Sequence, residues 1–237
     1  MRLQITPSVI PNLFTAMNMF CGFLSIITAS NGNYNYAAWL IIVAAIFDGL
    51  DGIVARLTKS SSELGVELDS LSDIVSFGCA PSFLMYSTYL YNFGNVGIIL
   101  SSLPLIAGGF RLARFNVQLV GFEKSFFIGL PIPTAALTIT SFVLAFHNGS
   151  FTEPYSDMVI PLVVIVSYLM VSNIRYETIP KFSLTGIKEK PFHFLFLLGA
   201  IILISLMYKK GLFYTFFLLI VLGIFRHLYY LIKKRTA

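Results

Sequence analysis

The feature that most constrains this chain is a succession of apolar segments, each long enough to cross a lipid bilayer. A spanning helix needs about 20 predominantly apolar residues, and the 237-residue chain has a mean hydropathy of +0.82. Eight such windows lie near 10–30, 35–57, 67–91, 95–116, 132–149, 157–175, 192–208 and 211–232. Backbone groups in lipid must be hydrogen-bonded within the segment. We therefore predict an all-α integral membrane protein with about eight transmembrane helices, forming one polytopic domain over 1–237.

Basic residues are distributed unevenly between the predicted loops. If the N-terminus is cytoplasmic, all sixteen lysines and arginines except Lys209 and Lys210 fall on the cytoplasmic side. Cytoplasmic loops of membrane proteins carry such an excess, so we expect a multi-pass protein of the cell membrane with both termini in the cytoplasm. Topology explains the net charge of +5, and no nucleic-acid partner is expected.

Negative charge is concentrated in one short stretch. The sequence DGLDGIVARLTKSSSELGVELDSLSD, residues 48–73, holds six of the eleven acidic residues. Asp48 and Asp51 are three residues apart at the end of the second predicted helix, and Asp69 and Asp73 are four apart at the start of the third. A short polar turn makes the two helices antiparallel neighbours, so we expect the two carboxylate pairs to face each other.

Four neighbouring carboxylates either take up protons or bind cations. An all-oxygen donor set without nearby His or Cys favours Mg²⁺, Mn²⁺ or Ca²⁺ over Zn²⁺. The small residues Gly49, Gly52, Ala55 and Gly65 leave the backbone approachable by a bulky polar substrate. Helix capping alone would explain one Asp per helix end, not two facing pairs. The stretch therefore predicts a divalent-cation site at the cytoplasmic ends of two helices.

The spacing Asp-x₂-Asp-Gly-x₂-Ala-Arg-x₈-Gly-x₃-Asp-x₃-Asp, from Asp48 to Asp73, resembles the complete signature of the CDP-alcohol phosphotransferases. These membrane enzymes move a phosphate-linked group from a CDP-activated substrate to an alcohol. Eight specified residues at fixed spacing are a specific signal. Three further stretches are similar to the phosphatidylserine synthase branch of that family: NLFT (12–15), RLARFN (111–116) and FIGLPIP (127–133). We therefore expect a catalytic core at about 10–149 and three additional transmembrane helices at about 157–232.

The resemblance implies a chemistry and a set of site residues. A phosphatidyl or archaetidyl group would pass from CDP-diacylglycerol, or a CDP-archaeol-like lipid, to the hydroxyl of L-serine, with CMP as the second product. Two divalent ions, Mg²⁺ or Mn²⁺, would be held by Asp48, Asp51, Asp69 and Asp73, and Asp73 would also act as general base. The implied contacts with the CDP-lipid are Gly52, Ala55 and Arg56, with Gly65, Asn12 and Thr15 as further candidates. The family also implies a homodimer among membrane lipids.

The acceptor site is predicted from charge. Serine brings a carboxylate, and Arg111 and Arg114 offer planar guanidinium groups three residues apart on one helix end. Asn116 is a further candidate, with a helix C-terminal cap as the alternative. The two arginines would equally suit an acceptor phosphate, so a sibling enzyme using glycerol phosphate or inositol phosphate stays open. Both would also serve as anchors at the membrane interface.

A divalent-cation transporter is the alternative from another class of protein. It too would place carboxylates in membrane helices. Transporters of this kind bind ions near the middle of the bilayer, between symmetric halves. Here the carboxylates lie at helix ends and the sequence shows no inverted repeat. An enzyme is therefore favoured.

Overall fold

The structure, a computed structural model, describes residues 9–58, 62–119, 126–177 and 191–235. Almost all of them are helical, which confirms the predicted fold class. The elements in chain order are α1 Val9–Ser30, α2 Tyr34–Thr58, α3 Glu63–Asp73, a π-helix Ile74–Cys79, α4 Ala80–Thr88, a 3₁₀ turn Leu90–Phe93, α5 Gly94–Leu119, β1 Phe126–Ile128, α6 Ile132–Phe146, α7 Tyr155–Val171, β2 Arg175–Glu177 and α8 Pro191–Arg235. Four of the described helical stretches are long and apolar enough to cross a membrane, and α6 and α7 are shorter apolar helices.

Two of the predicted segments differ in detail from the helices that the structure contains. The predicted helix 67–91 is a continuous helical run of α3, the π-helix and α4, which begins at Glu63. The last two predicted helices form α8, whose backbone is non-helical at Tyr208, with φ 49° and ψ −123°. A Cβ on Gly211 would lie 2.3 Å from the carbonyl oxygen of Leu203, so the glycine allows the two arms of α8 to meet closely.

The most buried helix is α6. Twelve of its fifteen residues are buried, a larger share than in any other described helix, so α6 lies at the centre of the bundle. It packs against α2, α4, α7 and α8. Large apolar side chains such as Leu13, Phe110 and Leu206 are exposed, at 62%, 70% and 76%, as expected for helices that face lipid.

Small residues allow α1 to pack closely along α2 and against the π-helix. The buried face of α1 includes Cys21, Gly22 and Ser25, and Ser25 Oγ donates a hydrogen bond to the carbonyl of Ala37 in α2 at 2.8 Å. A Cβ on Gly22 would lie 2.6 Å from the Cα of Ser76. The backbones of α1 and the π-helix are therefore in contact.

Two three-residue strands join the ends of α6 and α7. β1 pairs antiparallel with β2, with Phe127 opposite Tyr176. Beyond the ladder, Gly129 N donates to the carbonyl of Ile174 at 2.8 Å, and Leu130 N to that of Leu169 at 3.0 Å. The two strands lie at the ends of the predicted helices and were not predicted, because segments this short carry no measurable periodicity.

Candidate active site

Three carboxylates converge where α2 meets α3. One oxygen each of Asp48, Asp51 and Asp69 lies within 4.8 Å of the others. Ser62 positions α3 for this contact, because its Oγ caps the helix by accepting a hydrogen bond from Gly65 N at 3.1 Å. We call these three aspartates the carboxylate triad.

The triad fits a hard divalent cation. Its donors are all carboxylate oxygens, which are the ligands that Mg²⁺, Mn²⁺ and Ca²⁺ prefer. Asp51 is buried, and Asp69 Oδ1 has no hydrogen-bond partner among the described residues. Unpaired carboxylate oxygens in a partly desolvated cluster repel one another, and a cation relieves that repulsion.

Asp73 lies beside the triad but outside it. Its side chain is 8% exposed and lies beside the carboxylate of Asp48. On α5, Arg111 is close enough to interact electrostatically with Asp73. The second oxygen, Asp73 Oδ1, has no hydrogen-bond partner in the described ranges. Asp73 thus lies between the carboxylate triad and the buried Arg111.

Hydroxyl groups connect α1 to the acidic helices. Thr15 Oγ1 lies 2.8 Å from Asp51 Oδ2. Two serines that follow Asp69 donate to main-chain carbonyls of α1. Ser72 Oγ donates to the carbonyl of Thr15 at 3.0 Å, and Ser76 Oγ donates to that of Asn18 at 2.8 Å. These contacts fix the position of Asp73 along the axis of α1, because Asp73 lies between the two serines in the chain.

The π-helix begins directly after Asp73. A π-turn inserts an extra residue into the helical repeat and often occurs at functional sites. Here the π-helix includes Ser76, whose hydroxyl contacts α1. Neither the two serines nor the π-helix was found from the sequence. Ser72 and Ser76, four residues apart and so on one helix face, were the available signal for a polar helix contact.

The residues predicted to contact the CDP-lipid lie around the triad on α1, α2 and α3. The Arg56 guanidinium folds back over Gly52, with Nη1 3.5 Å from where a Cβ on Gly52 would lie. Asn12 Oδ1 lies 3.3 Å from the equivalent position on Gly65, where α1 meets α3. Ala55 follows Asp51 by one turn and is half-buried.

The two arginines predicted to bind serine have different surroundings. Arg111 is 6% exposed and lies with its Cζ 6.0 Å from the centre of the Phe115 ring. A pocket of about 270 Å³ is lined by Phe110, Arg111, Arg114 and Val171. The two arginines therefore line the same pocket.

Arg114 donates mainly to backbone carbonyls. Its Nη2 donates to Ile128 O at 2.9 Å, and its Nη1 to Val171 O at 3.1 Å. Longer contacts of Nη2 reach Met170 O at 3.3 Å and Ser172 O at 3.4 Å. This guanidinium joins α5 to β1 and to the C-terminal carbonyls of α7, which have no partner within their own helix.

Gly129 makes room for that contact. Its φ is +82°, and a Cβ there would lie 2.7 Å from Arg114 Nη2 and 2.2 Å from Met170 O. Asn116 also joins two helices, since its Nδ2 donates to Ser70 Oγ at 3.0 Å, one residue after Asp69. The stretches 111–116 and 127–133 thus contribute to one interhelical junction beside the acidic cluster.

The fold and the site define a helical membrane protein with a cluster of carboxylates, suited to a divalent cation, at the ends of its helices. Residues 8–172 match the family model described as CDP-alcohol phosphatidyltransferase. The chain therefore belongs to that family. The matched range extends beyond 149 and includes α7.

Several curated relatives are similar over most of their length. The CDP-diacylglycerol–serine O-phosphatidyltransferase of Helicobacter pylori is 44% identical over 172 residues, covering 72% of this chain and 73% of the relative. The archaetidylserine synthase of Methanothermobacter thermautotrophicus is 42% identical over 173 residues, covering 72% and 70%. The CDP-diacylglycerol–serine O-phosphatidyltransferase of Bacillus subtilis is 35% identical over 173 residues, covering 73% and 92%.

Proposed function

We propose that this protein transfers a phosphatidyl or archaetidyl group from a CDP-activated lipid to the hydroxyl of L-serine, with release of CMP. The names of the relatives support this reaction. The structural observation that carries it is the convergence of the Asp48, Asp51 and Asp69 carboxylates, with the buried side chains of Asp73 and Arg111 beside them. No observation favours an acceptor phosphate or ion transport.

The triad and Asp73 would hold divalent metal, Mg²⁺ or Mn²⁺, as two ions. When bound, the metal screens the carboxylates from the donor diphosphate and stabilises negative charge on its oxygens. Thr15 supports this role, because its hydroxyl holds Asp51 Oδ2 at 2.8 Å and so restricts the carboxylate to one orientation.

The donor would bind over α2. Gly52 and Ala55 present little side chain, and Arg56 places a guanidinium over Gly52, where it can bind a phosphate oxygen. Asn12 and Gly65 lie across the α1–α3 contact and would border the nucleotide. Because these groups surround the triad, the diphosphate would lie over the carboxylates and the lipid chains would leave toward the bilayer.

Asp73 would act as general base. It takes the proton from the serine hydroxyl as the serine oxygen forms a bond to the lipid-bearing phosphorus. The bond from that phosphorus to the CMP oxygen breaks, and CMP leaves with the electron pair. A carboxylate contributes to such a step when the hydroxyl is within hydrogen-bond reach, and Asp73 Oδ1 has no other partner in the described ranges.

The acceptor would bind beside α5. Arg111 is buried next to Asp73 and can pair with the serine carboxylate. Arg114 and Asn116 remain predicted contacts; their observed bonds to Ile128, Val171 and Ser70 would also hold α5 in place. Of these three residues, Arg111 most directly supports serine as the acceptor.

We also propose an orientation in the membrane and an oligomeric state. The excess of Lys and Arg in the loops at the acidic end supports a cytoplasmic active site and cytoplasmic termini. Serine and CMP are then exchanged with the cytoplasm. We also propose a homodimer in the cell membrane and a catalytic core at about 10–149, extended by three further helices at about 157–232.

An acceptor panel tests the reaction. Purified protein in lipid nanodiscs would receive CDP-diacylglycerol and Mg²⁺ with serine, glycerol phosphate or inositol phosphate, and CMP release would be measured. We expect release with serine and none with Asp73→Asn. Release with either phosphate acceptor but not with serine would refute the serine assignment, and cation flux without CMP release would refute the enzyme.

A further inference from the structure

Asn18 on α1 is a buried amide without partners. Its side chain is 0% exposed, and neither Oδ1 nor Nδ2 has a hydrogen-bond partner within the described part of the chain. No other side chain there has two such buried atoms. Unpaired buried polar groups are unfavourable and rare in native proteins. The amide is therefore available to a ligand that the chain itself does not supply.

The position of Asn18 directs it toward the acidic cluster. It follows Thr15 by one turn on the same face of α1, and side chains on a helix lean toward its N-terminus. The amide thus leans toward the turn whose Thr15 hydroxyl lies 2.8 Å from Asp51. The Asn18 carbonyl accepts a hydrogen bond from Ser76, three residues after Asp73. Asn18 lies beneath the cluster, between the segments that carry Asp51 and Asp73.

The chemistry of a carboxamide matches an amino acid. The side chain offers an acceptor at Oδ1 and donors at Nδ2, and a zwitterion presents an ammonium and a carboxylate on neighbouring atoms. A neutral amide can satisfy both at once, whereas it cannot neutralise an acceptor phosphate. Asp73 Oδ1, also buried and without a partner in the described ranges, can accept a hydrogen bond from the acceptor hydroxyl.

We propose that Asn18 is a specificity-determining residue of the acceptor pocket, where Nδ2 donates to the serine carboxylate and Oδ1 accepts from its ammonium. This inference rests on the proposed serine transfer and deepens it. Arg111 then contributes the charge that binds the carboxylate, and Asn18 distinguishes a zwitterion from a phosphate.

The first test is Asn18→Leu, which keeps similar volume and removes both polar atoms. We expect the KM for serine to rise about ten- to a hundredfold, since hydrogen bonds to charged groups are lost. The KM for CDP-diacylglycerol should stay within about twofold, and the thermal midpoint should be equal or higher, because no unpaired amide stays buried. Thr140→Val is the matched control, since Thr140 Oγ1 on α6 is also buried and unpaired, and its KM for serine should not change.

Truncated acceptors test the two contacts separately. Ethanolamine lacks the carboxylate and 3-hydroxypropionate lacks the ammonium. For each, the ratio of wild-type to Asn18→Leu kcat/KM should be smaller than for serine, because one of the two contacts is already absent. An unchanged ratio for both analogues would overturn the pairing of Asn18 with these groups.

The outcomes separate this inference from the proposed function. If wild-type protein releases no CMP with serine, the proposed function fails. If wild type uses serine and Asn18→Leu keeps its KM for serine, only the inference is overturned. An equal rise in both substrate KM values would also overturn it, since that indicates a general packing role. If the leucine variant does not assemble, Asn18→Ser, which is smaller and polar, should raise the serine KM in the same direction, and a wild-type value would overturn the inference.

Discussion

Replacing Arg114 by lysine separates a structural role from substrate binding. The guanidinium makes two short hydrogen bonds, at 2.9 Å to Ile128 O and 3.1 Å to Val171 O. Hydrogen bonds to charged groups are worth about 1.5–3 kcal/mol each. A lysine ammonium lacks the planar guanidinium geometry and can keep only one of these two hydrogen bonds. We therefore expect the junction of α5 with α7 to be weakened by about 1.5–3 kcal/mol, a ten- to hundredfold change in its opening equilibrium.

Hydrogen exchange measures that change directly. The amides of Gly129 and Leu130 are bonded to Ile174 and Leu169 at this junction, so they should exchange about ten- to a hundredfold faster in Arg114→Lys. If these backbone hydrogen bonds are the whole role of Arg114, the KM for serine should change little. Arg111→Lys, the same replacement beside Asp73, should instead raise the KM for serine and leave the exchange slow. If Arg114→Lys kept normal exchange but raised the KM for serine, Arg114 would be a serine ligand, as its sequence position first suggested.

The remaining predictions concern the metal, the helix contact and the route of transfer. Chelation should abolish CMP release and Mg²⁺ or Mn²⁺ should restore it, and full activity in excess chelator would contradict the metal site. Thr15→Val removes the hydroxyl 2.8 Å from Asp51 and should raise the Mg²⁺ concentration for half-maximal activity about tenfold, whereas Thr15→Ser should not. Gly22→Ala should lower the thermal midpoint, because its Cβ would meet Ser76, while Gly199→Ala, with nothing within 4 Å, should not; equal midpoints would refute the close contact. Labelled CMP should not exchange into CDP-lipid in the absence of serine and its lipid product, and rapid exchange would require a covalent intermediate.

Hydropathy and residue spacing predicted the features that repeat along the chain. The eight apolar segments follow from the length of a spanning helix. The convergence of Asp48, Asp51 and Asp69 follows from carboxylates near the ends of two helices joined by a short turn. These predictions depend only on local periodicity, which the sequence displays directly.

Other features could not be predicted from the spacing of side chains, because they depend on the positions of main-chain groups. The hydrogen bonds of Arg114 to carbonyls of β1 and of the end of α7, which is far along the chain, were not predicted. The π-helix after Asp73 breaks the 3.6-residue repeat on which the prediction relied. Asn18 was missed because a polar residue in an apolar run becomes informative only when its lack of partners is seen.

The most direct test of the account is equilibrium binding of labelled CDP-diacylglycerol to two variants in the presence of Mg²⁺. Asp69→Asn removes a ligand from the triad, so donor binding should be lost. Asp73→Asn leaves the triad intact and removes the proposed base, so part of the donor binding should persist while serine-dependent CMP release disappears. If both variants lost donor binding to the same extent, the separate role of Asp73 as the base would be contradicted.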